Sequence, residues 1–540
     1  MKHSTGLMAA AFVCALPALP HMAGAQTATA IPPAITTPDK VETRIGTLEF
    51  RDGAPTVATA EKVLDSLDYV RGVDAFMNSF SGASAYAIRK GFHSIGAEDN
   101  TIVIFSELMD ANSLFLTANA DTIYNLAVLD LTKGPLVVEV PPKALGTLND
   151  MWFGWIIDIG NPGPDRGQGG KYLILPPGYD GPLPDNGFFV SRSKTTHALY
   201  AVRAFMDNND PKPAVALIKD RLKIYPYTPG GYGTSIATAL EGKVRLEVNP
   251  PIPPTKFVEA SGKSFNTIPP NDFSYFEMIN ELVQMEPATS TSPELLGQLA
   301  AIGIVKGKPF NPDARMKKVL TDAAAVGNAA GRIFNWRASE IPGWSYYPGS
   351  MWANMLWEGG YDFENPPPAI TPEGYFKPSP PTGARTLNSR TGFYYGYTMD
   401  SPGMIMRLPN VGSQYLMGFS DADKNPFDGG KTYRVALPKD IPAAAFWSFT
   451  VYDNQTRSML QTPQRYPRAG SQTYPSPAAV ADADGSTTIY FGPTKPADAK
   501  DGNWIQTTPG KGWFTILRLY SPRESFFTRT WRPSELALVK

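Results

Sequence analysis

Cysteine and histidine are nearly missing from this chain. Its 540 residues hold one cysteine, Cys14, and four histidines. The first 25 residues read as a cleaved leader and contain Cys14, His3 and His21. The mature chain then keeps His93 and His197 and no cysteine. That composition excludes thiol nucleophiles, cysteine–zinc sites, iron–sulfur clusters, disulfides and multi-histidine metal cages. Carboxylate, arginine, tyrosine and serine chemistry remain, or no chemistry at all. No later stretch approaches the ~18 consecutive apolar residues of a membrane helix, so stable membrane insertion is not expected. Charge of one sign is also missing, with 49 Lys and Arg against 50 Asp and Glu. Without a basic stripe, nucleic acid is a poor partner. No Gly-x-Ser-x-Gly elbow occurs, and Gly167-Gln168-Gly169-Gly170 does not open a βαβ unit.

The leader has the expected parts. Lys2 supplies the positive end, Leu7 to Leu19 the apolar core, and Ala23-Gly24-Ala25 a small-residue cleavage site before Gln26. Ala11-Phe12-Val13 does not suit a lipid-modified Cys14. The expected location is the periplasm of a Gram-negative host, or the exterior. With 42% hydrophobic residues the chain can build a sizeable core. Its 48 glycines and 52 prolines favour turn-rich β structure over a helical bundle.

Residues 26–57 are Ala/Thr/Pro-rich and read as a flexible linker. Val63, Leu67, Val70, Met77 and Phe80 then recur at helical steps, with a break expected at Gly82 or Ser84. From 101 to 205 short apolar runs, including Leu126–Leu131, Trp152–Ile159 and Leu199–Phe205, have the spacing of a sandwich or jelly roll. Asp210-Pro211 should start a helix running to about Lys223. Helical patterns cover Asp272–Met285, Pro293–Ile304 and Pro312–Phe334. A Pro- and aromatic-rich connector follows, with Trp344, Tyr346, Tyr347, Trp352, Trp357 and Tyr361. From about 391 the pattern is β again, and Tyr433, Val435 and Leu437 alternate as on a half-buried strand.

Two sets of motifs stand in this frame. Thr117-Ala118-Asn119-Ala120-Asp121-Thr122-Ile123-Tyr124, Leu129-Asp130-Leu131 and Tyr172-Leu173-Ile174-Leu175-Pro176-Pro177-Gly178-Tyr179 resemble the signature of domain-of-unknown-function family 1254. Phe446-Trp447-Ser448-Phe449-Thr450-Val451-Tyr452-Asp453, Asp484-Gly485-Ser486, Asn503-Trp504 and Leu517-Arg518-Leu519-Tyr520 resemble its usual partner, domain-of-unknown-function family 1214. The resemblance implies a jelly-roll-like β-sandwich in each half and no established reaction. The expected fold class is mainly β with helical additions, two jelly-roll-like β-sandwich domains joined by a helical segment. The expected divisions are a signal peptide at 1–25, a linker at 26–57, an N-terminal helix plus sandwich at 58–250, a helical and aromatic connector at 251–390 and a C-terminal sandwich at 391–540.

Candidate site residues follow from chemistry and position. Asp121 is a candidate general base and Tyr124 a candidate donor, with Asn119 and Thr122 beside them as ligand contacts. The plain alternative is a structured turn in which Asn119 and Asp121 cap backbone amides. Period-two spacing puts Trp152 and Asp158 on one strand face, and with Arg166 they could grip a sugar or cation. Core packing of the tryptophan is the alternative. Asp158 is taken as a third candidate catalytic group. His197, beside an apolar strand, is a candidate ligand contact or a hydrogen-bonded structural residue. Arg407 and Arg518 stand in apolar strands and, if buried, need a carboxylate such as Asp400 or Asp453.

Asp421, Asp423, Asn425 and Asp428 have calcium-type oxygens, but Pro426 stands where an EF-hand loop needs glycine, and a hairpin explains them equally. Ser191-Arg192-Ser193-Lys194 satisfies Ser-x-x-Lys without the helix that would join serine to lysine. No metal and no cofactor is therefore assigned. The functional expectation is an enzyme or binding protein for a small organic or carbohydrate ligand. Its cleft would lie between the halves, built from residues 119–124, Asp158 and the connector at 344–361. The alternative is a non-catalytic structural or assembly module, and a homo-oligomer is left open.

Overall fold

The computed structural model describes residues 29–354, 368–370, 376–378, 387–401, 404 and 408–539. The leader, Trp357, Tyr361 and the candidate Arg407 lie outside the described residues. Where a linker was expected, Lys40–Thr43, Gly46–Arg51 and Ala54–Pro55 form an antiparallel sheet. This sheet belongs to a small unit ending at Ser66. Within that unit Thr59 Oγ1 accepts from the Glu49 N–H at 2.8 Å, tying the sheet to the first turn of a helix.

Residues from Leu67 onward form the second compact unit, which contains both β-rich halves. The helix Val57–Ser94 runs without the expected break at Gly82. The reason is a tertiary contact. A Cβ on Gly82 would lie 2.5 Å from Trp152 Cε3 and 2.8 Å from Leu282 Cδ2, so glycine lets the indole approach the helix. The same device recurs on the helix Ala314–Trp336, where Gly327 abuts the Phe76 ring and Gly331 the Tyr395 ring. The helix Pro211–Arg221 begins as expected. The Asp210 side chain accepts from the Lys212 N–H, and Pro211 takes the first position, where no N–H is needed.

The N-terminal half holds a six-stranded sheet in the order Phe257–Glu259, Ile102–Ile104, Ile123–Asp130, His197–Ala204, Ala144–Asp150 and Trp155–Gly160. A four-stranded sheet orders Phe189–Arg192, Gly170–Leu175, Leu136–Val140 and Lys223–Pro226. In the C-terminal half, Trp352–Ala353, Ser413–Gly418, Gly512–Pro522, Ala443–Asp453 and Arg468–Gly470 adjoin in that order. Phe427–Asp428 also pairs with Gly512–Pro522. A further sheet orders Trp504–Gln506, Thr487–Gly492, Tyr433–Leu437 and Ala537–Leu538. The described residues are thus mostly β with added helices, in several open sheets. The central strands Ile123–Asp130 and Gly512–Pro522 are buried along nearly their whole length. A strand buried on both faces shows no polar alternation, because each face has its own packing partner.

Candidate functional site

Inward-facing positions of the two large sheets meet around one cavity. On the first sheet, Arg203 is the register partner of both Tyr124 and Leu145, and Ala201 of Leu126 and Thr147. Direct partners in an antiparallel pair share a face, so these residues form two rows on one surface. On the second sheet Tyr415 is opposite Arg518. Together with Asn119, Thr117, Tyr397, Met399 and Ser413 these rows line a cavity of about 130 Å³.

Two guanidinium groups dominate it. Arg203 Nη2 donates to Ser413 Oγ at 3.0 Å, and Nη1 lies 3.5 Å from the Tyr124 hydroxyl. Arg518 is 3% exposed and donates to the Tyr452 hydroxyl and the Thr117 carbonyl. Its guanidinium carbon lies 5.5 Å from the Tyr415 ring centre. The expected carboxylate partners are not there. Asp453 caps the Gln455 N–H, and Tyr394 donates to Asp400. Among the described residues no carboxylate oxygen lies within 4.0 Å of Arg203 or Arg518. Asn119 Nδ2 donates to the Tyr124 hydroxyl at 2.9 Å, which aims that phenol at the arginine edge. Burial pushes the Tyr452 phenol up to about 12, and those of Tyr397 and Tyr520 well above their ordinary value. These phenols therefore stay protonated and serve as donors.

The remaining candidates lie elsewhere. Asp121 does not line the cavity. It is fully buried, accepting from Arg468 Nε at 2.8 Å, Ser448 Oγ at 2.7 Å and the Tyr520 hydroxyl at 3.0 Å. A carboxylate so engaged ties the two halves together. Asn119 Oδ1 accepts from the Asp121 N–H at 3.1 Å and the Thr122 hydroxyl at 3.4 Å, which is the turn reading of this motif. The same asparagine thus closes the turn with its oxygen and holds Tyr124 with its nitrogen.

Trp152 and Asp158 do not share a strand face. Trp152 sits in a turn after Asp150, and the strand begins only at Trp155. The Asp150 carboxyl forces this turn, its Oδ1 accepting from the Trp152 and Gly154 N–H groups at 2.8 Å each. Asp158 is opposite Thr147, on the same sheet face, but does not itself line the cavity. Burial pushes its carboxyl well above the usual range, and Asp400 nearby adds to the rise. Trp155, Ser401 and Thr147 stand close enough to ease the charge. No hydrogen bond of ordinary geometry reaches either Asp158 oxygen, however.

Arg166 is exposed in a loop, with φ of 49°, and is not among the residues lining the cavity. His197 is a satisfied structural residue. Its Nδ1 lies 2.8 Å from Glu286 Oε1, and its Nε2 3.8 Å from Asp99. Burial works to raise the Asp99 pKa, but the paired Arg89 guanidinium outweighs it and holds the carboxyl below its ordinary value. Asp421 Oδ1 accepts from the N–H groups of Asp423 and Asn425, which closes a tight local turn. The hairpin expected between Tyr415–Phe419 and Thr432–Leu437 does not form, because the strands Ser413–Gly418 and Tyr433–Leu437 belong to different sheets. Trp344, Tyr346, Tyr347 and Trp352 are packed core, with the Tyr346 hydroxyl donating to the Phe526 carbonyl and the Tyr347 hydroxyl to the Trp531 carbonyl. Among the described residues no group of His, Asp and Glu is arranged to hold a metal ion.

Of the sequence candidates, the structure brings Asn119, Tyr124 and Arg518 together. It adds Arg203, Tyr397 and Tyr415. Arg203 carried the same signal as Arg518, an arginine inside an apolar run, here Leu199–Phe205.

Comparison with known proteins agrees with the motifs. The family described as Protein of unknown function (DUF1254) matches residues 100–226, and Protein of unknown function (DUF1214) matches residues 412–524. No curated protein matches the chain. Among solved structures, the VPA0106 protein from Vibrio parahaemolyticus is similar at 19% identity. The match covers 88% of this chain and all of that one, with a TM-score of 0.49. An uncharacterized protein from Burkholderia cenocepacia is similar at 11% identity, over 89% of this chain and 97% of that one, with a TM-score of 0.35.

Proposed function

From a chain that carries an N-terminal DUF1254 region and a C-terminal DUF1214 region, we propose a protein that binds a small organic anion between the two. The ligand carries a carboxylate on a compact apolar or aromatic body. The observation behind this reading is the pair of arginines, Arg203 and Arg518, that face one cavity with no carboxylate partner among the described residues. A buried, unpaired cation costs several kcal/mol, which an anionic ligand offsets. Each guanidinium offers planar paired donors suited to a carboxylate. Tyr124 and Tyr415 add phenolic side chains, while Met109, Phe115, Leu116 and Leu126 supply an apolar wall. The polar end and the apolar wall together select an amphipathic acid over a free inorganic ion.

Among the described residues no helix is long and apolar enough to cross a membrane. With the leader-like first 25 residues, we place the protein in the periplasm or outside the cell. A jelly-roll order within each half belongs to the same proposal. It is supported by the pair of larger open sheets in each half.

The test is calorimetric titration with benzoate, phenylacetate and hexanoate, and with the neutral benzamide as control. At least one acid should bind and benzamide should not. Arg203→Met should weaken binding ~10- to 100-fold, the scale of a lost charge-assisted hydrogen bond. Equal binding of acid and amide, or an Arg203→Met variant that binds as the parent does, refutes the reading.

A further inference from the structure

A second and larger opening lies away from the arginine cavity. It has a volume of about 570 Å³ and is walled by the helix Val57–Ser94, the turn at 150–154, Lys194, the segment 289–298 and the helix Leu387–Gly396. Its chemistry is the opposite of the first site. Asp150 and Glu294 balance Lys194 and Arg390, and hydroxyl and amide side chains fill the spaces between. Such a wall has no preference for net charge. It offers donors and acceptors in similar measure.

Three features show a built site. Asp150 is 4% exposed, and its Oδ1 is used up on two backbone N–H groups, while its Oδ2 makes no hydrogen bond to the described residues. Gly154 keeps that oxygen uncovered, because a Cβ there would lie 2.5 Å from Asp150 Oδ2. The Trp152 indole on the same wall is fixed in one orientation by donating from Nε1 to Ser290 Oγ at 3.1 Å. Across the cleft, Arg390 Nη2 donates to Asn78 Oδ1 at 2.9 Å and Asn78 Nδ2 to Gln298 Oε1 at 3.1 Å. This chain of amides presents the remaining Gln298 N–H₂ donors beside the opening.

We propose that this cleft binds a neutral saccharide of two or three units, with a sugar hydroxyl donating to Asp150 Oδ2 and a ring edge packed on Trp152. Sugar hydroxyls both donate and accept, matching a wall of mixed polarity, and C–H faces match aromatic carbon. The volume exceeds what a single small acid fills and suits an oligosaccharide. No step of bond breaking is part of the proposal.

Calorimetric titration of the full chain with maltotriose, cellotriose and N,N′,N″-triacetylchitotriose tests it. One of the three should bind saturably. Gly154→Ala, which covers Asp150 Oδ2, and Gln298→Ala, which removes the amide, should each weaken that binding tenfold or more. Lys194→Ala, on an exposed side chain, provides a variant that folds if Gly154→Ala does not, and should weaken binding severalfold. Benzoate binding should be the same in all three variants, which separates this site from the arginine cavity. Absence of binding by all three sugars overturns the proposal. So does binding that the folded variants leave unchanged.

Discussion

Asp121 and Arg468 form an ion pair of 2.8 Å in which both side chains are completely buried, 347 residues apart in the chain. The pair joins the Asn119–Tyr124 motif to the edge strand Arg468–Gly470 of the C-terminal sheet. Around it, the Tyr452 hydroxyl donates to the Ala118 carbonyl at 2.7 Å, and Ser448 and Tyr520 donate to Asp121. The motif that marks the first family region is therefore held by residues of the second. Asp121→Asn leaves Arg468 buried without its counter-charge. It should lower the unfolding free energy by about 3–5 kcal/mol, read from urea denaturation. Because Asp121 does not line the cavity, benzoate affinity of the folded variant should match the parent. Lost affinity with intact stability would return Asp121 to the site.

What the sequence made legible was local. Asp210-Pro211 announced a helix because capping is settled within four residues. Tyr433, Val435 and Leu437 announced a strand because only alternate residues on it are fully buried. The Asn119 turn was readable for the same reason. Trp152 misled because Asp150 turns the chain just where the apolar run continues. Arg518 was recognised as a buried cation, yet its partners are a phenol and a carbonyl brought from distant segments. The pairing of Arg203 with Arg518 across two sheets depends on packing between halves, and no spacing along the chain encodes it.

Gly82 offers a direct test of packing against propensity. Alanine is the better helix former by about 1 kcal/mol in an exposed helix. Here its Cβ would meet the Trp152 ring at 2.5 Å and Leu282 at 2.8 Å. Overpacking of this kind costs about 1–3 kcal/mol, so Gly82→Ala should be net destabilising. Denaturation curves give the sign. A more stable variant means that the indole can move aside freely.

Asp150 gives the pH dependence. Burial raises its carboxyl from 3.8 to about 6, despite two backbone hydrogen bonds and the nearby Lys194 charge. Between those values the folded chain binds more proton than the unfolded chain, so stability falls as pH rises. The contribution is fully present below the unfolded value and is lost as pH climbs through about 6. The span corresponds to about 3 kcal/mol. Asp150→Asn keeps the acceptor oxygen and cannot ionise. Relative to that variant, the parent should lose about 3 kcal/mol between about pH 3 and about pH 7. Parallel stability profiles for the two proteins would remove Asp150 as the source.

Asp158 differs from Asp150 in what surrounds it. Asp150 has two N–H donors, whereas both Asp158 oxygens lack a hydrogen bond of ordinary geometry and Asp400 adds a like charge. An ionised carboxylate so placed is expensive, and the group relieves the cost by keeping its proton. The expected outcome is that Asp158 keeps its proton at neutral pH, while Asp150 is mostly a carboxylate there. Asp158→Asn substitutes one neutral group for another of the same shape and should change stability by less than about 1 kcal/mol. Infrared difference spectra between parent and variant at neutral pH should show the carbonyl stretch of a protonated acid, lost in the variant. A carboxylate band in its place, with a large loss of stability, would mean that Asp158 is ionised and that a cation or donor compensates it.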